Sequence, residues 1–540
     1  MSTRPGRVAI HEQFATDGFE YMFGNPGTVE QGFLDVAGSS ELEYVLGLHE
    51  SVSVGMADGY ARASGGPALV QLHSSVGLGN AVGMLYQARR GGAPLVVVVG
   101  DAGVRYDAMD AQMAADLVSI AQPVTKYATR VTDESSVLRV LRRATKIAMT
   151  PPCGPVVVVL PADVLDEPNH EPVRPSPVPS TRVTPAPATV ADMASRLLAG
   201  QRRLVLMGDG VAASGAQREL TAVAERLNAP VWGVNSSEVN FDTTHRLYGG
   251  ELGHMFGTDS ERVVRNADSV LIVGTYVFPE VFPLLDGPFR EDAHIVHVDL
   301  DRYEIAKNHP VDLGVAADPK LTLAALDAEL TRQRPVGPGP DHFPEGAEPS
   351  RTEVTDAPES LLGSFSRELA ERAPSDLVVF DEALTASPQV LRHLPPREPG
   401  RFFQTRGGSL GVGAPGAMGI KLARPDAPVV AFTGDGAGMY TIQALWTAAR
   451  YGIDVTIVVC NNGRYRLLDR NIEQYWSAQG IAPHDYPDAF DLTRPEIGFG
   501  ELAAGLGVAS RRVTEPGEVE PAVTAALSGD GPLLIDLAVE

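Results

Sequence analysis

Asp435 and Asn462 could share a hard divalent cation, because each stands where an apolar run breaks into turn residues. Val429 to Thr433 is a short β-branched run that predicts a buried strand, and Gly434-Asp435-Gly436 ends it. Gly438 keeps the turn open to a close backbone approach. Met439 to Tyr451 spaces Ile442, Leu445, Trp446 and Ala449 as a helix face does, and Gly452 stops it. Val455 to Cys460 predicts a second strand, ended by Asn461-Asn462-Gly463. In a parallel sheet both strands finish at one carboxyl edge, where open α/β sheets bind ligands. One carboxylate, one amide oxygen and free carbonyls there suit a hard cation that keeps waters and takes two diphosphate oxygens. The helix N-terminus after Gly436 would supply amide donors to the same diphosphate. An ordinary βαβ unit with turn residues at its strand ends is the plainer alternative. Gly208-Asp209-Gly210 repeats the first half of the pattern after Leu204 to Met207, but Asn235-Ser236 lacks the paired asparagine.

The elements needed to hold such a turn recur along the chain. Its 540 residues are enough for about three domains. Strands alternate with helices in three α/β blocks, which predicts three doubly wound domains with central parallel sheets. Proline-rich joints near Glu171–Ala188 and Arg334–Pro358 separate them, placing the domains at residues 1–170, 189–334 and 359–540. Net charge is −24, which argues against nucleic-acid or anionic-membrane partners. Two distant cysteines, Cys153 and Cys460, imply no disulfide framework, and no signal-like or membrane-spanning apolar run is found, so a cytoplasmic protein is expected.

The first block places several polar residues at predicted strand ends. An amphipathic helix (Val8 to Gly18) precedes a strand from Phe19 to Phe23, which stops at Gly24-Asn25-Pro26-Gly27-Thr28. Tyr44 to Leu48 ends at His49-Glu50, before a small-residue helix over Val54 to Arg62. Glu50 there is either a buried acid or a helix-start carboxylate favoured by the macrodipole. Ala68 to Leu72 ends at His73, followed by the glycine-containing stretch Ser74 to Asn80, which suits a loop entering a helix. His73 could serve as an acid–base group, although a lone histidine is more often a satisfied structural one.

GNPGT, LHES, ADGYAR, LHSSVGLGNA, GGSLGVGAPGAMGIKLA, GDGAGMYTIQALWTAARYGI and NNGRY together resemble the thiamine diphosphate-dependent 2-oxo acid decarboxylase and carboligase family. The likeness is nearer to its benzoylformate decarboxylase branch and more distant to acetolactate synthases. It implies pyrimidine-binding, central and diphosphate-binding domains in that order. It further implies that Asp435, Asn462 and the Arg464 carbonyl hold Mg²⁺, with Gly436, Ala437, Thr385 and Tyr465 lining the diphosphate side. Glu50 would hydrogen-bond the pyrimidine, with Asn25 and Pro26 beside it. The Gly408 carbonyl would meet the 4′-amino group, and Leu410 would wedge the cofactor into its folded conformation. Thr28 stands where this branch has an active-site serine, and His73 matches a catalytic histidine.

The resemblance implies an enzyme that decarboxylates a 2-oxo acid to an enamine, then releases an aldehyde or ligates it to a carbonyl acceptor. Acetolactate synthase-like acyl transfer, C–C lysis or an inactive cofactor-binding scaffold are the alternatives. A homodimer or homotetramer is implied, each site taking Glu50 and His73 from one chain and Asp435 and Asn462 from another. The middle block has too little of a nucleotide motif for FAD, so none is expected. One departure is sharp: the branch's second catalytic histidine aligns with Val281, which cannot move a proton. His254 and Glu280, both with surface-type readings, are the nearby substitutes. Tyr465 to Arg470 is also more charged than in aromatic-oxo-acid enzymes, with Leu467 in place of alanine, which argues against benzoylformate as substrate.

Overall fold

Runs such as Leu95–Val99 and Val156–Leu160 lack the polar alternation of a half-exposed strand, and both are buried along their length. A computed structural model describes residues 3–253, 255–334, 343–349 and 359–539. It contains two compact units: Met1–Pro179 with Glu359–Leu394 and Thr405–Glu540, and Ser180–Pro358 with Pro395–Gln404. Three mainly buried parallel sheets with flanking helices give the doubly wound α/β domains expected from the strand–helix alternation.

In the first sheet the parallel strands lie in the order Glu43–Leu46, Tyr21–Gly24, Ala68–Leu72, Leu95–Asp101, Val156–Pro161, Tyr127–Arg130. Neighbouring strands therefore finish at Gly24, Leu46 and Leu72; Asn25 and His73 follow at once, and Glu50 follows after the short turn at residues 47–49. The C-terminal sheet carries Val378–Glu382, Val429–Gly434, Thr456–Asn461, Leu533–Ala538 and Ala509–Val513 as parallel neighbours. Gly434 pairs with Cys460, so Asp435 and Asn462 follow strands that end side by side.

Within the same unit, helix Glu50–Ser64 crosses helix Gly413–Ala423 on small residues. A Cβ on Gly59 would lie 1.9 Å from the Gly416 carbonyl oxygen, and one on Gly419 would lie 1.9 Å from that of Met56. Only glycine permits this backbone approach.

The middle sheet runs Tyr248–Glu251, Val231–Gly233, Arg203–Met207, Ser269–Val273, His294–Asp299, Leu313–Ala316. Val205, Met207, Leu271 and Val273 join one core cluster, whereas Leu204, Leu206, Val270 and Ile272 join the other. This is the two-residue period of a sheet covered on both faces.

Two sequence expectations are corrected. The helix expected over Met439–Tyr451 is two helices, Asp435–Tyr440 and Ala444–Tyr451. The break falls at Thr441, whose backbone leaves the helical region at φ −137° and ψ 30° and whose hydroxyl donates to the Gly411 carbonyl at 2.6 Å. The stretch after His73 is no loop: helix Ser74–Arg90 begins at once, entered through Ser74 at φ 42°.

Candidate active site

Glu50 is the first residue of its helix, behind His49, whose Nδ1 accepts from the Ser51 amide at 3.1 Å. Its carboxylate is buried and faces two amide groups. Asn80 Nδ2 donates to Oε2 at 2.9 Å and Asn25 Nδ2 to Oε1 at 3.4 Å. Gly77 makes room for it, since a Cβ there would lie 3.0 Å from Glu50 Oε1. Both readings open for Glu50 describe it: it is a buried acid and it is the carboxylate at the start of its helix. Asn80 was not singled out from sequence, because nothing local marks a residue reached only when two helices pack. Pro26 and Thr28 are exposed on the turn that follows Asn25.

His73 has a partner that sequence reasoning missed. Its Nδ1 lies 3.0 Å from Oε2 and 3.2 Å from Oε1 of Glu30, a buried residue of the short 3₁₀ turn Thr28–Glu30. Two glycines shape the pair. A Cβ on Gly27 would overlap the His73 ring at 2.0 Å, and one on Gly100 would overlap Glu30 Oε1 at 1.9 Å. Burial pushes the Glu30 carboxyl above the ordinary glutamate range, against the opposing pull of His73. With Nδ1 facing the carboxylate, Nε2 is the ring nitrogen turned away from Glu30. The signal available in the sequence was an acid two residues beyond Thr28. A cavity of about 40 Å³ beside Glu30, lined also by Phe33, Gln71, Val98 and Leu160, has room for a few waters.

On the C-terminal sheet, Asp435 organises the second group. Its Oδ1 accepts from the Gly436 amide at 2.6 Å, and its Oδ2 accepts from the amides of Asn462 and Arg464 at 3.1 and 3.2 Å. Asn462 Oδ1 also accepts from the Arg464 amide, at 3.0 Å. A Cβ on Gly436 would lie 2.3 Å from the Tyr465 ring, which closes over this turn. Burial raises the Asp435 carboxyl, opposed by these backbone bonds. One carboxylate, one amide and one carbonyl form a hard oxygen set that fits Mg²⁺ completed by diphosphate oxygens and water. Among the described residues, no three His, Cys, Asp or Glu side chains cluster as an all-protein metal cage.

Gly408 and Leu410 lie on the loop before helix Gly413–Ala423, with Gly408 exposed at φ 75°. The Oε1 atom of Gln87 accepts from the amides of Arg406 and Gly407 and so fixes the loop's start. The strand Val378–Glu382 ends in two acids, Asp381 and Glu382, both buried. Asp381 Oδ1 accepts from the Ala383 amide and the Ser387 hydroxyl, both at 2.9 Å, so it is bound internally. Thr385 follows in a half-buried turn.

In the middle domain, Asp209 of the second Gly-Asp-Gly accepts from the Ser237 and Glu238 amides and from Asn240 Nδ2. Its carboxylate therefore organises the loop after the neighbouring strand. Val281 is 61% exposed. Glu280 is a correction: it is buried beside Ser260 and Asp259, and burial raises its carboxyl. Its sequence neighbours gave no hint of that enclosure. His254 lies outside the described residues.

The structure thus collects Asn25, Glu30, Glu50, His73 and Asn80 at one sheet edge, and Asp435, Gly436, Asn462, Arg464 and Tyr465 at another. The hydrogen bonds of the two groups share no residue. Three doubly wound domains, two of them with such edges, define a class of cofactor-dependent α/β enzymes. The described chain matches the thiamine pyrophosphate enzyme N-terminal TPP binding domain at 6–120, the central domain at 190–326 and the C-terminal TPP binding domain at 385–537. It is 32% identical to the benzoylformate decarboxylase of Pseudomonas aeruginosa over 545 residues, covering 98% of each chain. It is 29% identical to an acetolactate synthase large subunit of Parasynechococcus marenigrum, covering 99% of this chain and 88% of that one. The solved thiamine diphosphate-dependent 4-hydroxybenzoylformate decarboxylase of Rhodococcus jostii RHA1 superposes with a TM-score of 0.87 at 28% identity, covering 99% of each chain. The chain belongs to the thiamine pyrophosphate enzymes.

Proposed function

We propose that the protein binds thiamine diphosphate with Mg²⁺ and decarboxylates a 2-oxo acid, releasing an aldehyde or joining the fragment to a carbonyl acceptor. The observation that carries this reading is the buried Glu50 carboxylate, held by Asn80 and Asn25 at the edge of one sheet, together with the Asp435–Asn462 oxygen set at the edge of another. Bound thiamine diphosphate would supply a carbon nucleophile for the 2-oxo carbon and take up the electron pair left when CO₂ departs. Asp435, Asn462 and the Arg464 carbonyl would hold the metal, with Gly436, Ala437, Thr385 and Tyr465 around the diphosphate. Glu50 would hold the proton shared with the pyrimidine ring nitrogen, with Asn25 and Pro26 beside it. The Gly408 carbonyl would receive the cofactor's amino group, and Leu410 would hold the ring in its folded position. Thr28 and His73 would face the substrate, His73 through Nε2 while Glu30 holds Nδ1. Two copies of the chain would build each centre, Glu50 and His73 from one and Asp435 and Asn462 from the other. The separate hydrogen-bond sets within one chain support this.

Loss of the second histidine at Val281 favours carboligation over aldehyde release, because one proton donor fewer faces the fragment. The middle domain is proposed to hold no flavin. Its glycine turn carries the Asp209 carboxylate, an anion that repels a dinucleotide diphosphate.

The test mixes purified protein, Mg²⁺ and thiamine diphosphate with pyruvate, benzoylformate or phenylpyruvate, with and without benzaldehyde. CO₂ is followed and products are identified. CO₂ with a hydroxyketone only when acceptor is present establishes carboligation, and free aldehyde establishes simple decarboxylation. Cofactor bound but no CO₂ from any donor overturns the 2-oxo acid reading and favours lysis or a non-catalytic role.

A further inference from the structure

We propose that Glu382 is the positioning residue that locks the Leu410 loop to the Asp435 turn, and so sets how tightly the two clasp thiamine diphosphate. This rests on the reading proposed above and deepens it. Glu382 ends its strand fully buried, and among the described residues no cation pairs with it. Its Oε1 accepts from the amides of Gly411 and Val412 at 2.8 and 3.1 Å. Its Oε2 accepts from the Gly413 amide at 2.9 Å and the Thr433 hydroxyl at 3.0 Å. Three consecutive amides and one hydroxyl therefore converge on one carboxylate.

The opposite side of the loop is held as well. The Gly411 carbonyl accepts from the Thr441 hydroxyl at 2.6 Å. Gly411 itself sits at φ 90°, where an added Cβ would lie 2.7 Å from Cβ of Tyr440. Thr433 and Thr441 bracket the helix Asp435–Tyr440, one before it and one after it. The peptide following Leu410 is thus fastened at two points to the segment that carries Asp435. A serine or a water could cap the first turn of helix Gly413–Ala423 at a smaller desolvation cost than a buried carboxylate. The multiple charge-assisted bonds fall where two parts of one binding site must keep register, the arrangement a preorganised site requires. Protonation of Glu382 would set an O–H against these donors, and burial raises its carboxyl to about 7 in spite of them.

The experiment compares parent, Glu382→Gln and Thr433→Val. Readouts are thermal unfolding without cofactor, calorimetric affinity for thiamine diphosphate with Mg²⁺, and the circular-dichroism signal of the bound aminopyrimidine. Glu382→Gln is expected to weaken cofactor affinity by about tenfold or more and to diminish the signal, because an amide cannot accept all four bonds. Thr433→Val, which removes one bond, is expected to weaken it by about threefold to tenfold. Unchanged affinity in Glu382→Gln, even with a lower unfolding temperature, assigns the residue to the fold alone and overturns the inference. Should that variant fail to fold, unchanged affinity and signal in Thr433→Val overturn it. A parent that takes up no thiamine diphosphate overturns the functional reading and this inference together.

Discussion

His73 Nδ1 and Glu30 Oε2 lie 3.0 Å apart, joining the end of the strand Ala68–Leu72 to the turn that follows Asn25. The carboxylate fixes the imidazole's orientation and leaves Nε2 free, the role a third group has in many acid–base sites. Glu30→Gln is expected to reduce kcat/KM by about tenfold or more. It should also remove from the pH–rate profile the limb contributed by a carboxyl that burial raises. A variant with parental rate and profile would show that the pair is structural.

The Asp435 oxygen set predicts separable losses of metal and of fold. Asp435→Asn and Asn462→Ala should unfold near the parental temperature, yet need about tenfold or more additional Mg²⁺ to bind thiamine diphosphate. Magnesium titration by calorimetry checks this. Parental magnesium dependence in both variants would remove these residues from the site.

Helix contact at Gly59 predicts a stability effect without chemistry. The methyl of Gly59→Ala would overlap the Gly416 carbonyl, so a loss of about 1–3 kcal/mol is expected in denaturant unfolding. Gly38→Ala, where an added Cβ meets nothing within 4 Å, should stay within about 0.5 kcal/mol and serves as the control.

His297, buried in the middle sheet, predicts a pH dependence of stability. Its Nε2 donates to the Thr275 carbonyl at 2.8 Å and its Nδ1 accepts from the Ala306 amide at 3.3 Å, an arrangement only the neutral ring can make. Burial lowers it to about 4 from an ordinary 6.5, so the folded chain binds fewer protons between those values. Its contribution is therefore complete above pH 6.5 and is lost as pH falls toward 4, at up to about 1.4 kcal/mol per pH unit. Glu251 and Asp299, each raised to about 7 by burial, act with the opposite sign and are present in both proteins compared. The measurement is the parent's stability minus that of His297→Gln across this range. A difference that stays flat would mean the ring does not titrate as buried.

Local chemistry in the chain was enough to place several of the buried strands and polar residues close to their ends. Ala68–Leu72 was read with its observed limits, because Gly66-Pro67 before it and the glycine-containing stretch after it bound a run that is apolar but for Gln71. The side-by-side endings before Asp435 and Asn462 were legible for a related reason: glycine and asparagine must appear where such runs stop. Tertiary structure alone decided the partners. Glu30 meets His73 from 43 positions away and Asn80 meets Glu50 from 30, separations that no periodicity encodes. It also decided that a helix whose apolar spacing is continuous breaks at Thr441, where the hydroxyl meets the Gly411 carbonyl 30 positions away. Glu280 shows the same limit, a carboxyl with a surface residue's sequence context and a core residue's enclosure. Secondary structure follows periods of two to four residues. The site depends on which buried polar groups find one another, and that is settled only when the helices pack on the sheets.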